Sequence, residues 1–176
     1  MLNYSSKSYW DERYKILNTR TYDWLEDYDN LRKFFLNLNI PKEANILNVG
    51  CGISQLSEKM YYGNNFFDVV IDKGLLDTIL CGENAFVEAS KLTKEITRVL
   101  KPNGIYILIS FGSPKERLKH LQWDYLDYDI EVYDIKNFYE DITKKSTHYI
   151  YLCRKQDDAD EKLKYYEDVL SELKTY

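Results

Sequence analysis

The sequence predicts an α/β protein built on a doubly wound, mostly parallel sheet. Three apolar runs predict it. Residues 46–49 form a short buried strand that enters the turn Gly50-Cys51-Gly52, residues 67–71 form a second that ends in charge at Asp72-Lys73, and residues 105–110 form a third without interruption. Uninterrupted apolar runs suit parallel strands covered on both faces. Between the second and third, residues 86–100 have helical spacing, with Phe86, Ala89, Leu92, Ile96 and Leu100 on one face, and Lys101-Pro102-Asn103-Gly104 stops the pattern. Strand, helix and strand in alternation make βαβ units.

The remaining elements follow from the same periodicities. Tyr9-Trp10-Asp11-Glu12-Arg13-Tyr14 is a short amphipathic turn, and Trp24, Leu25, Tyr28, Leu31, Phe34, Phe35 and Leu38 recur at intervals of three or four until Pro41 ends the helix. A brief helix is expected over 56–61 and another over 115–121. Residues 128–135 alternate as a strand, and 148–153 form the last strand, so the sheet is expected to close with an antiparallel pair. Beyond it, Leu163, Tyr166, Val169, Leu170 and Leu173 lie among charges at helical spacing. The organisation expected is one domain over 1–156 followed by an amphipathic C-terminal helix over 157–176.

Composition excludes several classes. A chain of 176 residues with 44% apolar and 30% charged side chains can bury a core, which argues against disorder and fibrous structure. A net charge of -5 argues against nucleic acid as partner, because phosphate binding needs a basic face. No run approaches the length of a membrane span and the first residues lack a signal-peptide core, so a cytoplasmic protein away from membranes is expected. Cys51, Cys81 and Cys153 are widely spaced, without any C-x-x-C, and His120 and His148 are not spaced as ligands; no disulfide framework and no metal site are indicated.

A specific resemblance emerges from five blocks in order: YWDERY from Tyr9, Tyr22-Asp23-Trp24-Leu25, ILNVGCGIS from Ile46, FDVVIDKG from Phe67, and EITRVLKPNG from Glu95. They are similar to one group of class I S-adenosylmethionine-dependent methyltransferases, the group that includes the lysine methyltransferases of elongation factor 1A. The resemblance implies a Rossmann-like sheet, S-adenosyl-L-methionine as cofactor, and a protein lysine as acceptor, with a translation elongation factor as partner. It further implies that Trp10, Tyr14 and Trp24 cover and contact the cofactor, that the backbone at Gly50 and Gly52 lies against its methionine and ribose parts, and that Lys73 lies near it. Adenine and a sulfonium cation both favour aromatic faces, although aromatics at this spacing also serve as a helix staple on the core. Asp72, Asp77 and Tyr22 are candidates for the acceptor channel; no catalytic residue is assigned.

One interval departs from the pattern. Gly52 and Asp68 are sixteen positions apart, so roughly 40 residues of the family sheet, about one β-α-β unit, have no counterpart, and with them go the two acidic positions that bind ribose and adenine in the family. The expected sheet is therefore a seven-strand type shortened by about two strands. A direct link from the first strand to FDVV conflicts with the right-handed crossover rule if the intervening helix keeps its usual face. Either that helix changes face or shrinks, or FDVV moves into the vacant second-strand place. The last option would let Asp72, twenty residues after Gly52, serve as the ribose acid; the match of FDVV to the fourth family strand favours the other reading. Three functions stay open: a methyltransferase, a non-catalytic member acting through protein binding, and a different nucleotide-dependent enzyme such as a dehydrogenase. The first strand is expected to have an exposed edge, which invites self-association.

Overall fold

The computed structural model describes residues 4, 6–16, 25, 26, 28–50, 62–138 and 147–173. Its elements run α1 (Lys7–Ile16), α2 (Tyr28–Asn37), β1 (Ile46–Val49), β2 (Phe67–Lys73), α3 (Leu75–Ile79), α4 (Ala85–Val99), β3 (Leu100–Ser110), α5 (Pro114–Leu121), β4 (Tyr128–Asp134), a single 3₁₀ turn (Ile135–Phe138), β5 (Tyr149–Lys155) and α6 (Ala159–Leu173). The five strands form one sheet in the order β1-β2-β3-β5-β4. β1, β2 and β3 are parallel, while β5 runs antiparallel to both β3 and β4.

This order decides where the FDVV strand belongs. β2 pairs with β1 on one side, Val49 opposite Asp72, and with β3 on the other, Lys73 opposite Ile109. Had it taken the vacant second-strand place, β1 would lie between it and β3. Among the described residues the sheet is thus five-stranded with β1 at one edge, and the two strands of the expected seven-strand type that would lie beyond β1 have no counterpart there. The brief helix expected over 56–61 lies outside the described residues, and with it the hand of the crossover.

Alternation along the strands sends side chains to two core layers. Leu47, Val49, Val70, Tyr106, Leu108, Tyr151 and Cys153 face the layer formed with α3, α4 and α5, whereas Val69, Ile105, Ile107, Ile109, Ile150 and Leu152 meet Leu31 and Phe34 of α2 and Ile135. Covering on both faces explains the unbroken apolar run of β3. Two expectations need correction. Phe86 is not on the core face of α4 but 55% exposed, and the buried stripe runs through Ala89, Thr93, Ile96, Thr97 and Val99. Lys101-Pro102-Asn103-Gly104 does not part helix from strand either. β3 already starts at Leu100 and passes through those residues as a bulge, with Leu100 opposite Phe67, Ile105 opposite Val69, and Asn103 at φ 62°.

At the far end of the sheet the Lys155 ammonium is buried and donates to the Thr97 and Leu100 carbonyls (2.9 and 2.8 Å), to Asn65 Oδ1 (3.0 Å) and to Asp160 Oδ1 (2.7 Å). A cation at the last carbonyls of α4 also complements the helix dipole. The first turn of α6 is thereby tied to the end of α4, and a Lys94–Glu167 ion pair and the Tyr125–Tyr166 ring contact extend the attachment.

Candidate functional site

In open α/β sheets, ligands bind outside the carboxyl ends of the parallel strands. Here those ends bring together Gly50 after β1, Lys73-Gly74 at the end of β2, and Phe111-Gly112 after β3, with His148 just before β5. Gly50 has φ +70°, and a Cβ placed on it would stand 2.7 Å from Leu75 Cβ. The turn therefore needs glycine for two reasons, backbone hand and the close approach of α3. Gly74 repeats the arrangement: its φ is +85°, and a Cβ there would meet Leu25 Cδ1 at 3.3 Å.

Asp72 sits one register step below this rim and is wholly buried. Its Oδ1 accepts the Leu75 amide at 2.7 Å, and its Oδ2 accepts the Leu76 amide at 3.2 Å and the Tyr106 hydroxyl at 3.1 Å. Burial pushes its pKa up to about 7, against the opposing effect of those donors. The carboxylate anchors the start of α3 and is occupied inside the fold, which removes it from a ribose role and from the acceptor channel. Asp77, the other acidic candidate, is likewise engaged. It accepts from Ser110 Oγ, from the Phe111 amide at 2.9 Å, and from Arg117 Nε and Nη2 at 3.0 and 2.9 Å. That clasp fixes the end of β3 to α5. Tyr22, the third acceptor candidate, lies outside the described residues.

Lys73 is half-buried and donates to the backbone carbonyl of Glu26 at 2.9 Å. Glu26 is only 5% exposed; its carboxylate meets His148 Nδ1 at 2.9 Å through Oε1 and accepts from Asn30 Nδ2 at 2.9 Å through Oε2. Phe111 packs edge-on to the His148 ring, centroids 4.4 Å apart. Leu25, just before this cluster, has φ 67°, a left-handed conformation that costs a branched residue about 1–3 kcal/mol and persists only where surroundings enforce it. Sequence reasoning singled out neither Glu26 nor Arg117, and it set His148 aside. Partners 122 positions apart leave no local signal.

Of the residues implied for the cofactor, Gly50 and Lys73 stand on this rim. Trp10 and Tyr14 stack on each other within α1 at 5.9 Å, and Trp10 Nε1 donates to the Tyr4 carbonyl at 2.6 Å. Trp24 and Gly52 lie outside the described residues. His120 is buried against Phe86 with its pKa lowered by desolvation and by the Lys119 and Arg117 charges; no partner meets its Nδ1 among the described residues. The described residues contain no metal-binding group of His, Cys, Asp and Glu and no helix long and apolar enough to cross a membrane. A cavity of about 320 Å³ between Ile40, Asp68, Lys101, Asn103 and Arg154 opens at the amino ends of β2 and β3, the wrong end of the sheet for the ligand of such a fold.

No family model matches the chain. Among curated proteins it is 25% identical to EEF1A lysine methyltransferase 4 of Mus musculus, over 72% of this chain and 69% of that protein. The corresponding Bos taurus protein is 25% identical over 66% of this chain and 65% of its own length. The eEF1A lysine and N-terminal methyltransferase of Danio rerio is 24% identical, over 62% of this chain but only 22% of that protein. Among solved structures, a TehB-like S-adenosylmethionine-dependent methyltransferase from Corynebacterium glutamicum superposes with a TM-score of 0.52 at 13% identity, covering 85% of this chain and 97% of that one. This chain has the class I S-adenosylmethionine-dependent methyltransferase fold. In the mouse comparison, 177 aligned positions against 72% of a 176-residue chain leave about fifty positions of the relative without a counterpart.

Proposed function

We propose that the chain binds S-adenosyl-L-methionine at the carboxyl rim of β1 and β2 and transfers its methyl group to a lysine of a protein, an elongation factor 1A-like acceptor. The names of the relatives and the methyltransferase fold support the chemistry. The observation that bears most weight is the rim itself, where a left-handed glycine turn after β1 meets the end of β2 at Lys73-Gly74. The residues proposed to contact the cofactor are Trp10, Tyr14, Trp24, Gly50 and Gly52, with Lys73 beside them. The bound cofactor supplies a methyl carbon activated by a sulfonium leaving group. For the chain, the task is then to hold an acceptor amine in line and to exclude water; a lysine must be neutral to attack. A cytoplasmic location accords with a translation factor as partner and with free Cys81 and Cys153, and we include it in the proposal.

A second reading is favoured by one feature. Nothing described lies beyond β1, so the strands that bring the ribose and adenine acids in the family have no equivalent here. A member that binds protein without transferring methyl groups would look the same. Incubation with methyl-labelled S-adenosylmethionine and elongation factor 1A separates the two. Label on an acceptor lysine, located by mass spectrometry, supports the enzyme. A folded chain that captures the factor yet transfers no label supports the binding role.

A further inference from the structure

Glu26 joins three distant parts of the chain with one residue. Its carboxylate holds His148 before β5 and Asn30 in α2, and its carbonyl receives the Lys73 ammonium at the end of β2, each contact at 2.9 Å. A carboxylate this deeply buried is costly unless its partners fix it. The residue before it is the strained Leu25, whose side chain lies against Gly74. Gly74 precedes α3, and Leu75, the first residue of that helix, backs directly onto Gly50. Two leucines and two glycines therefore form a continuous stack, Leu25 on Gly74 and Leu75 on Gly50, and the Glu26 contacts hold its outer end in place.

We infer that Glu26 is a positioning residue for the glycine turn: through Lys73, His148 and the Leu25-Gly74-Leu75 stack it sets the position of the Gly50 backbone against which the cofactor lies. The inference rests on the reading of this rim as the cofactor site. Its physical content is a coupling free energy, because a ligand that needs the turn in one position binds best when the clasp is closed. Lys73 then serves the cofactor by holding Glu26, and His148 serves it from the neighbouring part of the sheet. Nothing in the inference requires either side chain to touch the ligand.

Calorimetric titration with S-adenosylhomocysteine, at a temperature where every variant is fully folded, tests it with the full chain, Glu26→Leu, Glu26→Gln and His148→Phe. The last keeps a ring against Phe111 but loses the bond to Glu26. Expected is binding by the unmodified chain, weakened on the order of tenfold in Glu26→Leu and His148→Phe, with Glu26→Gln recovering part of the loss because its amide still offers an acceptor. A residue with a merely stabilising role would lower the melting temperature and leave affinity in the folded state unchanged. Equal affinities across the set overturn the inference alone. No binding by the folded unmodified chain overturns the cofactor reading and the inference with it. Should Glu26→Leu fail to fold, His148→Phe and Glu26→Gln still decide the matter.

Discussion

Leu75 Cβ stands 2.7 Å from the point where a side chain on Gly50 would begin. The contact joins the turn after β1 to the helix after β2, so the glycine is required by the packing of α3 as well as by its own φ of +70°. Gly50→Ala should destabilise the protein by about 3 kcal/mol, the sum of a left-handed alanine and an overpacked contact. Denaturant unfolding measures it. Because the clash is with a Cβ, Leu75→Ala should not restore stability in the double variant, and a rescue by that change would contradict this packing.

Asp72 makes stability depend on pH. Its folded pKa is raised to about 7 by burial, so between the ordinary carboxylate range and neutrality the folded state binds more protons than the unfolded one. Stability contributed by the protonated form is then lost as pH rises through that window. The chain should be less stable at pH 8 than at pH 5, and Asp72→Asn should remove that difference while costing one of the α3 amide contacts. Urea unfolding of both proteins at the two pH values is the check; parallel behaviour would show that the Asp72 carboxylate is ionised throughout.

Lys155 has four acceptors for three ammonium protons, and burial lowers its pKa against the opposing pull of Asp160. Lys155→Met strands the Thr97 and Leu100 carbonyls and should cost about 3 kcal/mol or more. Asp160→Asn should cost less, because that carboxylate is partly solvated. Thermal unfolding ranks the two, and the reverse order would contradict the buried clamp.

Among the described residues the two edges of the sheet differ. β4 carries Asp129, Glu131 and Asp134, charges that guard an edge against pairing, whereas β1 is Ile46-Leu47-Asn48-Val49 with Ile46 50% exposed, and Tyr62 and Phe66 stack in the open nearby. We expect copies of the chain to associate along β1, and Asn48→Lys to reduce that association. A monomer at high concentration in sedimentation velocity would contradict the expectation.

The sheet was legible because β2, β3 and β5 are apolar runs and β4 alternates, patterns that local context does not erase. The place of β2 was legible only through the FDVV resemblance; spacing alone pointed Asp72 at a ribose, and the pairing of Val49 with Asp72 and of Lys73 with Ile109 excludes it. Phe86 misled because it lies in the first turn of α4, where it is 55% exposed and its ring packs against His120 and Lys119 of α5 and not on the core stripe. α3 has five residues, and its start is set by the buried Asp72 side chain, which no periodicity reports. Within the candidate site, the glycine turn was readable from local backbone needs. The clasp around Glu26 was not, since it depends on groups brought together only when α2, β2 and β5 have packed.

The central claim is that the rim at Gly50 and Lys73 binds the methyl donor despite the short interval after the turn. Calorimetric titration of the 176-residue chain with S-adenosylhomocysteine tests it without knowledge of the acceptor. The account predicts saturable binding in the micromolar range. An absence of heat from a chain shown by circular dichroism and cooperative unfolding to be folded would contradict it.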